Sequence, residues 1–261
     1  LGSSYRHAPL WLLRLEACVW VTWAVGHPAS LAAGGAIFVT SSKAWLLLRI
    51  SGTRWIGNTA SLQQKSGGSA SVAGGALYVS AYVNCQINST TFLRNTATAL
   101  PPSGTYTTPD SGVTAGALSA QDCPVTLSRV SFIENVASDS SVNSAASLGG
   151  VSGGAVEINQ WTAAYSVVVS DCTFTSNYVR AMGIAKSGAL QITWMASVRV
   201  TRSAFVNNYV NVTASSSKLD GAGGAMRYLG SGLTLSHSTF RGNRILGLAR
   251  SSSATSAQLQ G

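Results

Sequence analysis

Acidic side chains, which carry most hydrolytic chemistry, are few in this sequence. Among its 261 residues there are eight: Glu16, Asp110, Asp122, Glu134, Asp139, Glu157, Asp171 and Asp220. Cleavage of a glycosidic bond uses two carboxylates that converge to within about 5–10 Å. None of these eight shares its repeat position with a carboxylate of a neighbouring repeat, as the pattern described below shows. We therefore expect no catalytic residues and no enzymatic activity.

The other reactive residue types lack the spacing that catalysis or metal binding requires. The three histidines, His7, His27 and His237, show no H-E-x-x-H or other ligand spacing. No serine lies in a G-x-S-x-G motif. We expect neither a metal site nor a cofactor.

The net charge is +9, from 17 Lys plus Arg against 8 Asp plus Glu, although only 10% of residues are charged. A basic surface favours anionic partners. Because the charge is spread along the chain without a nucleic-acid motif, we expect no nucleic-acid binding. Acidic glycans or surface proteins are the expected partners. The apolar stretch 9–26 is interrupted by Arg14 and Glu16, so we predict no transmembrane segment.

Two short motifs recur in fixed order along the chain. The first is a G-G-A, A-G-A or S-G-A tripeptide followed by aliphatic residues, with its Ala at positions 36, 76, 117, 155, 189 and 225. The second is F-x-x-N, which contains five of the six Phe. An apolar pair begins seven residues before each of these Phe, as in Val167 and Val169. Such ordered recurrence indicates a repeat architecture.

Each repeat contains short alternating segments and no helical period, so we predict two strands and a turn per coil. Stacked coils let each strand pair in parallel with its copy in the next coil. Parallel crossovers are almost always right-handed. The sequence therefore predicts an all-β, single-stranded, right-handed parallel β-helix (a solenoid) of about seven coils.

The repeated aromatic and Asn residues have a structural explanation. We predict an aromatic stack inside the helix, whose rings attract one another beyond their buried area, and an Asn ladder, whose amides satisfy backbone groups of the turns. The predicted stack comprises Trp20, Trp55, Phe92, Phe132, Phe174, Phe205 and Phe240. The predicted ladder comprises Asn58, Asn95, Asn135, Asn177, Asn208 and Asn243, with Trp23 replacing Asn in the first coil.

The combination of G-G-A-aliphatic and F-x-x-N resembles the repeats of the polymorphic outer membrane proteins of chlamydiae. The resemblance covers residues 12–250, nearly the whole chain. It implies a β-helix of the pectin-lyase-like superfold and a surface-exposed, membrane-associated protein that is often adhesive. Within this scheme we divide the chain into an N-terminal extension (1–11), the repeat domain (12–250) and a flexible Ser/Ala tail (251–261). We expect the chain to continue into further coils of a longer protein.

The outward positions of the strands predict a binding face. On the first strands this row reads Phe38, Tyr78, Ser119, Glu157, Gln191 and Arg227. We expect Phe38 and Tyr78 to be exposed neighbours that can stack on a sugar ring or anchor a protein. On the second strands Arg14 and Arg49 are neighbours that can meet one anionic group. The alternative is a solvated sheet face without a ligand.

Cysteines and sequons bear on the compartment. Cys18 and Cys172 are four coils apart, too far to form a disulfide; Cys85 and Cys123 are in adjacent coils but two positions out of register, and small buried thiols are expected. The sequons at Asn88 and Asn211 predict glycosylation sites if the chain is secreted by a eukaryote. We expect Asn88 to face outward and Asn211 to lie in a loop.

The functional prediction is a non-catalytic extracellular or cell-surface module with an adhesive or structural role. Two alternatives stay open: a fragment of a carbohydrate-active β-helix enzyme, of the pectate-lyase or glycosidase type, and an intracellular scaffold solenoid. The polar links 96–115 and 136–152 are expected to protrude as loops on one side of the solenoid, where insertions often form a binding face.

Overall fold

The computed structural model describes residues 11–15, 23–25, 31–41, 45–63, 70–100, 111–139, 150–160, 165–214, 218–249 and 256–260. Within these ranges there are 33 β-strands, numbered β1 to β33 in chain order, and no helix. The strands form five parallel sheets, A to E, in which each strand pairs with its equivalent one coil earlier and one coil later.

Sheets A and B follow one another along each coil. Sheet A comprises β1 (Trp11–Leu15), β5 (Leu46–Ser51), β10 (Val83–Asn88), β15 (Val125–Ser128), β20 (Ser166–Ser170), β25 (Ser197–Thr201) and β30 (Leu233–Ser236). Sheet B comprises β6 (Arg54–Ile56), β11 (Thr91–Leu93), β16 (Ser131–Ile133), β21 (Thr173–Thr175), β26 (Ala204–Val206) and β31 (Thr239–Arg241).

Sheets C, D and E complete the coil. Sheet C comprises β2 (Trp23–Val25), β7 (Thr59–Gln63), β12 (Thr96–Leu100), β17 (Val136–Asp139), β22 (Tyr178–Met182), β27 (Tyr209–Ala214) and β32 (Arg244–Ala249). Sheet D comprises β3 (Leu31–Ala33), β8 (Ala70–Ala73), β13 (Ser111–Thr114), β18 (Gly150–Ser152), β23 (Ile184–Lys186), β28 (Lys218–Ala222) and β33 (Ser256–Gln260). Sheet E comprises β4 (Ile37–Thr40), β9 (Leu77–Ser80), β14 (Leu118–Gln121), β19 (Val156–Asn159), β24 (Leu190–Met195) and β29 (Met226–Gly230).

The predicted parallel β-helix is confirmed, but the number of strands in each coil differs from the prediction. Five coils, β5–β9 through β25–β29, contribute a strand to all five sheets, and an incomplete coil lies at each end of the described strands. The prediction of about seven coils therefore counted the two incomplete ones as whole. Each complete coil has five short strands rather than two, because sheets B, C and D also run through segments that were interpreted as turns or links.

The two links predicted as loops, 96–115 and 136–152, contain strands of sheets C and D. Their inward side chains are small and form a second core, which includes Ala97, Val113, Ala137 and Val151. Small residues suffice there because sheets C and D lie close together across the interior. Within the predicted tail 251–261, the described residues Ser256–Gln260 form β33, which pairs with β28 from Lys218 to Ala222.

The Asn residues of F-x-x-N form one hydrogen-bonded column. The backbone N of Asn95 and its Nδ2 donate to Asn135 Oδ1 at 3.0 and 2.9 Å. Asn135 Nδ2 donates to Phe92 O at 3.0 Å and to Asn177 Oδ1 at 2.9 Å. The same pattern links Asn58, Asn95, Asn135, Asn177, Asn208 and Asn243, of which all but Asn243 are buried. The column thus satisfies turn backbone groups that water cannot reach.

The aromatic residues of F-x-x-N form a parallel stack beside this column. Neighbouring ring centroids are 4.6 to 5.5 Å apart from Trp55 to Phe240, and five of the six rings are buried. Phe240, at the end of the stack, is 43% exposed. The predicted first ring, Trp20, lies outside the described residues. The register pairs Trp23 with Thr59 rather than Asn58, so Trp23 does not occupy the Asn position.

The G-G-A tripeptides form the turn from sheet D to sheet E. The first residue has a positive φ, which is 62° at Gly74 and persists at 58° when Ala115 replaces the glycine. At the second position the lack of space for a side chain requires glycine. A Cβ at Gly75 would overlap the carbonyl oxygen of Gly116 in the next coil. Only glycine lets consecutive coils approach this closely.

Candidate functional site

The outward face of sheet A is solvent-exposed and carries arginines. Arg49 is exposed, and its Nε donates to Gln86 Oε1 on the next strand at 3.2 Å. Arg14 lies opposite Arg49 in the register of β1 and β5, as predicted for neighbours, but its side chain is outside the described residues. Farther along the sheet, Arg199 is also exposed. We call this surface the flat face.

An aromatic cluster borders the flat face where the chain passes from sheet E into sheet A. The Trp45 ring packs edge-on against Tyr82, at 5.9 Å between centroids, and against Tyr165, at 5.7 Å. Trp45 and Tyr82 remain 42% and 46% exposed. Near the end of β24, Trp194 is 66% exposed and has a φ of 64°. We call Trp45, Tyr82 and Tyr165 the aromatic ridge.

The ridge was missed by sequence reasoning. Its residues end links of different length, so their distances from the Ala of G-G-A differ. Trp45 and Tyr82 each lie ten residues before the aromatic of the stack in their coil, but Tyr165 lies nine before it. A usable signal exists nevertheless. Each ridge residue stands directly before a strand of sheet A, because Trp45 precedes β5, Tyr82 precedes β10 and Tyr165 precedes β20.

The opposite border of the flat face, at the turn into sheet B, carries arginines that are hydrogen-bonded to neighbouring side chains. Arg129 donates to Asn88 Oδ1 from Nη2 at 3.1 Å. Arg202 forms a two-pronged ion pair with Asp171, at 2.7 and 2.8 Å. The Arg202 hydrogen bonds hold the pKa of the Asp171 carboxyl below its ordinary value. The flat face is therefore bounded by aromatic rings on one side and guanidinium groups on the other.

The described carboxylates are dispersed around the coil. Glu157 is in sheet E, Asp139 in sheet C and Asp220 in sheet D. The remaining three lie in separate links: Asp122 between sheets E and A, Asp171 between A and B, and Glu134 between B and C, where it pairs with Arg94 at 2.6 Å. Within the described part of the chain no three His, Cys, Asp or Glu side chains are arranged so that they could hold a metal ion. Glu16, Asp110, His7 and His27 lie outside it.

The outward row of sheet E differs from the expected exposed face. Phe38 and Tyr78 do stack, with centroids 4.9 Å apart, and Phe38 is 50% exposed. Tyr78, however, is only 6% exposed, and its hydroxyl donates to Gln121 Oε1 at 2.8 Å. The prediction of two exposed aromatics is therefore wrong for Tyr78. Sequence alternation identifies an outward side chain but not whether another part of the coil covers it.

Side chains from the end of sheet D reach this row, so the two sheets meet in a corner. Thr114 Oγ1 lies 3.4 Å from Ser119 Oγ. Ser119, Glu157 and Gln191 are all buried, at 1, 6 and 5% exposure. Burial raises the pKa of the Glu157 carboxyl from 4.5 to about 7, while hydrogen bonds from Ser152 and Thr114 and the charge of Lys186 act in the opposite direction. A single buried carboxyl thus lies in this corner.

The two sequons occupy strands. Asn88 ends β10, is half-buried, and points outward, where it accepts the hydrogen bond from Arg129. Asn211 was expected in a loop but lies in β27, between the inward-facing Val210 and Val212. The alternation of Val with polar residues extends the strand through the sequon. Of the two, Asn88 is next to a turn and is the more accessible to a modifying enzyme.

The cysteines Cys85, Cys123 and Cys172 are free and buried, and Cys18 lies outside the described residues. Cys85 is opposite Val125, so it is out of register with Cys123, and no disulfide joins them. Burial raises the pKa of the Cys85 thiol to about 12 and that of Cys172 to about 11. These thiols are unreactive packing residues.

Comparisons with protein-family models, with curated proteins and with solved structures each found no match to this chain. The resemblance to polymorphic outer membrane proteins, and to the pectin-lyase-like superfold, thus stays a prediction that depends on the motifs. Among the described residues there is no helix that is long and apolar enough to cross a bilayer.

Proposed function

We propose that this β-helix is a non-catalytic module of the cell surface or extracellular space that binds acidic glycans. The observation that carries the proposal is the aromatic ridge beside the arginines of the flat face, in which Trp45 and Tyr82 are exposed and Tyr165 is half-buried. Aromatic rings pack on the apolar faces of sugars, and exposed clusters of this kind mark interaction sites. Guanidinium groups bind carboxylates and sulfates through paired hydrogen bonds.

The electrostatic balance supports an anionic ligand. Arg49 donates to the neutral side chain of Gln86 on the next strand. Its positive charge is therefore not neutralised by that contact and is available to an anion. The net charge of +9 adds long-range attraction that salt weakens.

The residue composition of the outward face of sheet A supports a location on the cell surface or outside the cell. Uncharged polar residues dominate the outward rows of sheet A, including Thr126, Ser128 and Ser170, and the sequon at Asn88 lies in the same sheet. Such a surface is compatible with a secreted repeat protein that displays many coils to a ligand.

One observation favours a second function. A buried carboxyl whose pKa is about 7, as for Glu157, suits a general acid at neutral pH. A glycosidase on this scaffold needs a second carboxylate near Glu157, and the described carboxylates lie on other sheets or links. We therefore rank an enzyme below the binding module.

The test is a glycan array probed with the purified chain at low and high salt. We expect salt-sensitive binding to acidic glycans, reduced about tenfold or more by Trp45→Ala and by Arg49→Gln. Matched controls on sheet C, Tyr209→Ala and the exposed Arg180→Gln, should bind as the parent does.

Two outcomes would contradict the proposal. Equal losses in the sheet C controls would show that binding does not occur at the ridge and flat face. Cleavage of polygalacturonate in the same buffers, abolished by Glu157→Gln, would replace the binding module with the enzyme.

A further inference from the structure

The corner between sheets D and E contains a concentration of unpartnered oxygen atoms. Six buried side-chain atoms accept or donate no hydrogen bond within the described structure, and four of them lie on the outward side of β19 and β24. These four are Glu157 Oε2, Asn159 Oδ1, Gln191 Oε1 and Thr193 Oγ1. Leaving buried polar atoms unsatisfied is costly, so such a concentration calls for a ligand.

The strand register brings the four side chains together. Glu157 lies opposite Gln191, and Asn159 lies opposite Thr193, on adjacent parallel strands. Residues two apart on a strand share a face. The four side chains therefore form one small grid, whose backbone positions are about 4.8 Å apart between strands and about 6.6 Å apart along them.

The burial of this grid limits the size of the ligand. Glu157, Gln191 and Thr193 are 5 to 6% exposed, and Asn159 is half-buried with its Oδ1 inaccessible to solvent. A sugar or peptide needs a larger opening, whereas a single ion does not. Three of the four atoms are pure acceptors and one belongs to a carboxylate, so the ligand carries positive charge.

The types of donor atom favour one class of cation. Calcium binds carboxylate, amide and hydroxyl oxygens at about 2.3–2.6 Å in flexible geometry, so side chains of different lengths can reach it together. Magnesium, at about 2.0–2.1 Å, demands near-ideal octahedral geometry and keeps several waters.

We propose that the outward face of β19 and β24 binds a calcium ion through oxygens of Glu157, Asn159, Gln191 and Thr193. Water completes the coordination, since calcium takes six to eight oxygens. The site has one carboxylate, and the positive charge of Lys186 acts on it from sheet D. Both features reduce affinity, so a dissociation constant of about 10⁻⁴–10⁻³ M is expected, the range of extracellular calcium modules.

The test measures calcium binding to the full chain by calorimetry after removal of metal with a chelator, together with the thermal midpoint in calcium or magnesium. We expect one calcium per chain, a rise of the midpoint with calcium, and weaker binding of magnesium by about tenfold. Glu157→Gln and the shape-conserving Thr193→Val should each weaken calcium binding about tenfold or more. Glu134→Gln, the same change at an exposed carboxylate, should leave binding unchanged.

Circular dichroism of each variant shows whether its β-structure is intact, so a loss of binding can be separated from a loss of folding. Retention of full calcium binding in folded Glu157→Gln would overturn the proposal. So would the absence of calcium binding at 100-fold the expected dissociation constant, which would indicate that water alone fills the corner.

Discussion

The interior and the exterior of this helix follow opposite rules. Inside, the same residue type recurs coil after coil, so that Phe132 lies on Phe174 and Asn135 bonds to Asn177. Outside, neighbouring positions differ, and one row passes from Phe38 through Glu157 to Arg227. The comparison shows that repetition maintains the fold, whereas the candidate sites lie where the sequence departs from repetition.

The largest expected effect of a single substitution is in the Asn column. Asn135→Ala removes a side-chain partner from three buried groups: the N and Nδ2 of Asn95 and Phe92 O. Asn177 Oδ1 keeps the backbone N of residue 135 as a donor. Each orphaned group costs about 1–3 kcal/mol, so we expect a loss of about 3 kcal/mol or more in the free energy of unfolding. Chemical denaturation measures it. The exterior control, Asn84→Ala, should cost less than about 0.5 kcal/mol, and equal losses would abolish the distinction.

The aromatic stack allows buried and exposed positions to be compared for one residue type, Phe. Phe132 is covered on both faces and fully buried, whereas Phe240 is 43% exposed. We expect Phe132→Ala to destabilise by about 3–5 kcal/mol and Phe240→Ala by about half as much, because less apolar area returns to water. Denaturant midpoints with unchanged slopes would support this; a larger loss at Phe240 would contradict it.

Glu157 predicts a pH dependence opposite to that of a paired surface carboxylate. Its pKa is raised in the folded state to about 7, from 4.5, because burial disfavours the charged form. The contribution of Glu157 to the free energy of unfolding, up to about 3 kcal/mol, is fully present below about pH 4.5 and is lost as pH rises through 7. Unfolding followed in a chelator between pH 5 and 8.5 measures this loss. Glu157→Gln should remove it, and an unchanged profile in that variant would assign the dependence elsewhere.

The smallest effect is expected at the exterior ion pair of Arg202 and Asp171. Both groups are exposed, so solvent and salt screen their attraction. Arg202→Ala should leave the thermal midpoint close to that of the parent at low salt and indistinguishable from it in 1 M salt. A clear drop that persists at high salt would show that the pair contributes packing to the turn.

The interior could be predicted from sequence because its contacts are copies. Once Phe92 and Phe132 are assigned to the same coil position, the parallel register follows, and so does the Asn column. Sheets C and D were missed for a related reason. Their inward residues, such as Ala97 and Ala137, are too small to show an apolar alternation against the Ser and Thr around them.

The candidate sites were predicted less well because they depend on how the coil bends. Tyr78 and Glu157 were correctly assigned to one outward row, but the turn at G-G-A folds sheet D towards that row and buries it. The ridge depends on links of unequal length, in which Trp45 and Tyr165 reach each other across coils. A single sequence contains neither the bend angle nor the path of a link.

The Asn column has a direction. From Asn58 to Asn208, each backbone N–H and each Nδ2 donates to the Oδ1 of the Asn in the next coil. The second Nδ2 hydrogen, from Asn95 to Asn243, donates to a backbone carbonyl of the preceding coil. The amide dipoles therefore add rather than cancel, and each bond polarises its neighbours. At one end Asn58 Oδ1 has no donor among the described residues. A coil stacked in the reverse orientation would place one Asn side-chain oxygen against another. The column therefore allows coils to stack in one orientation only.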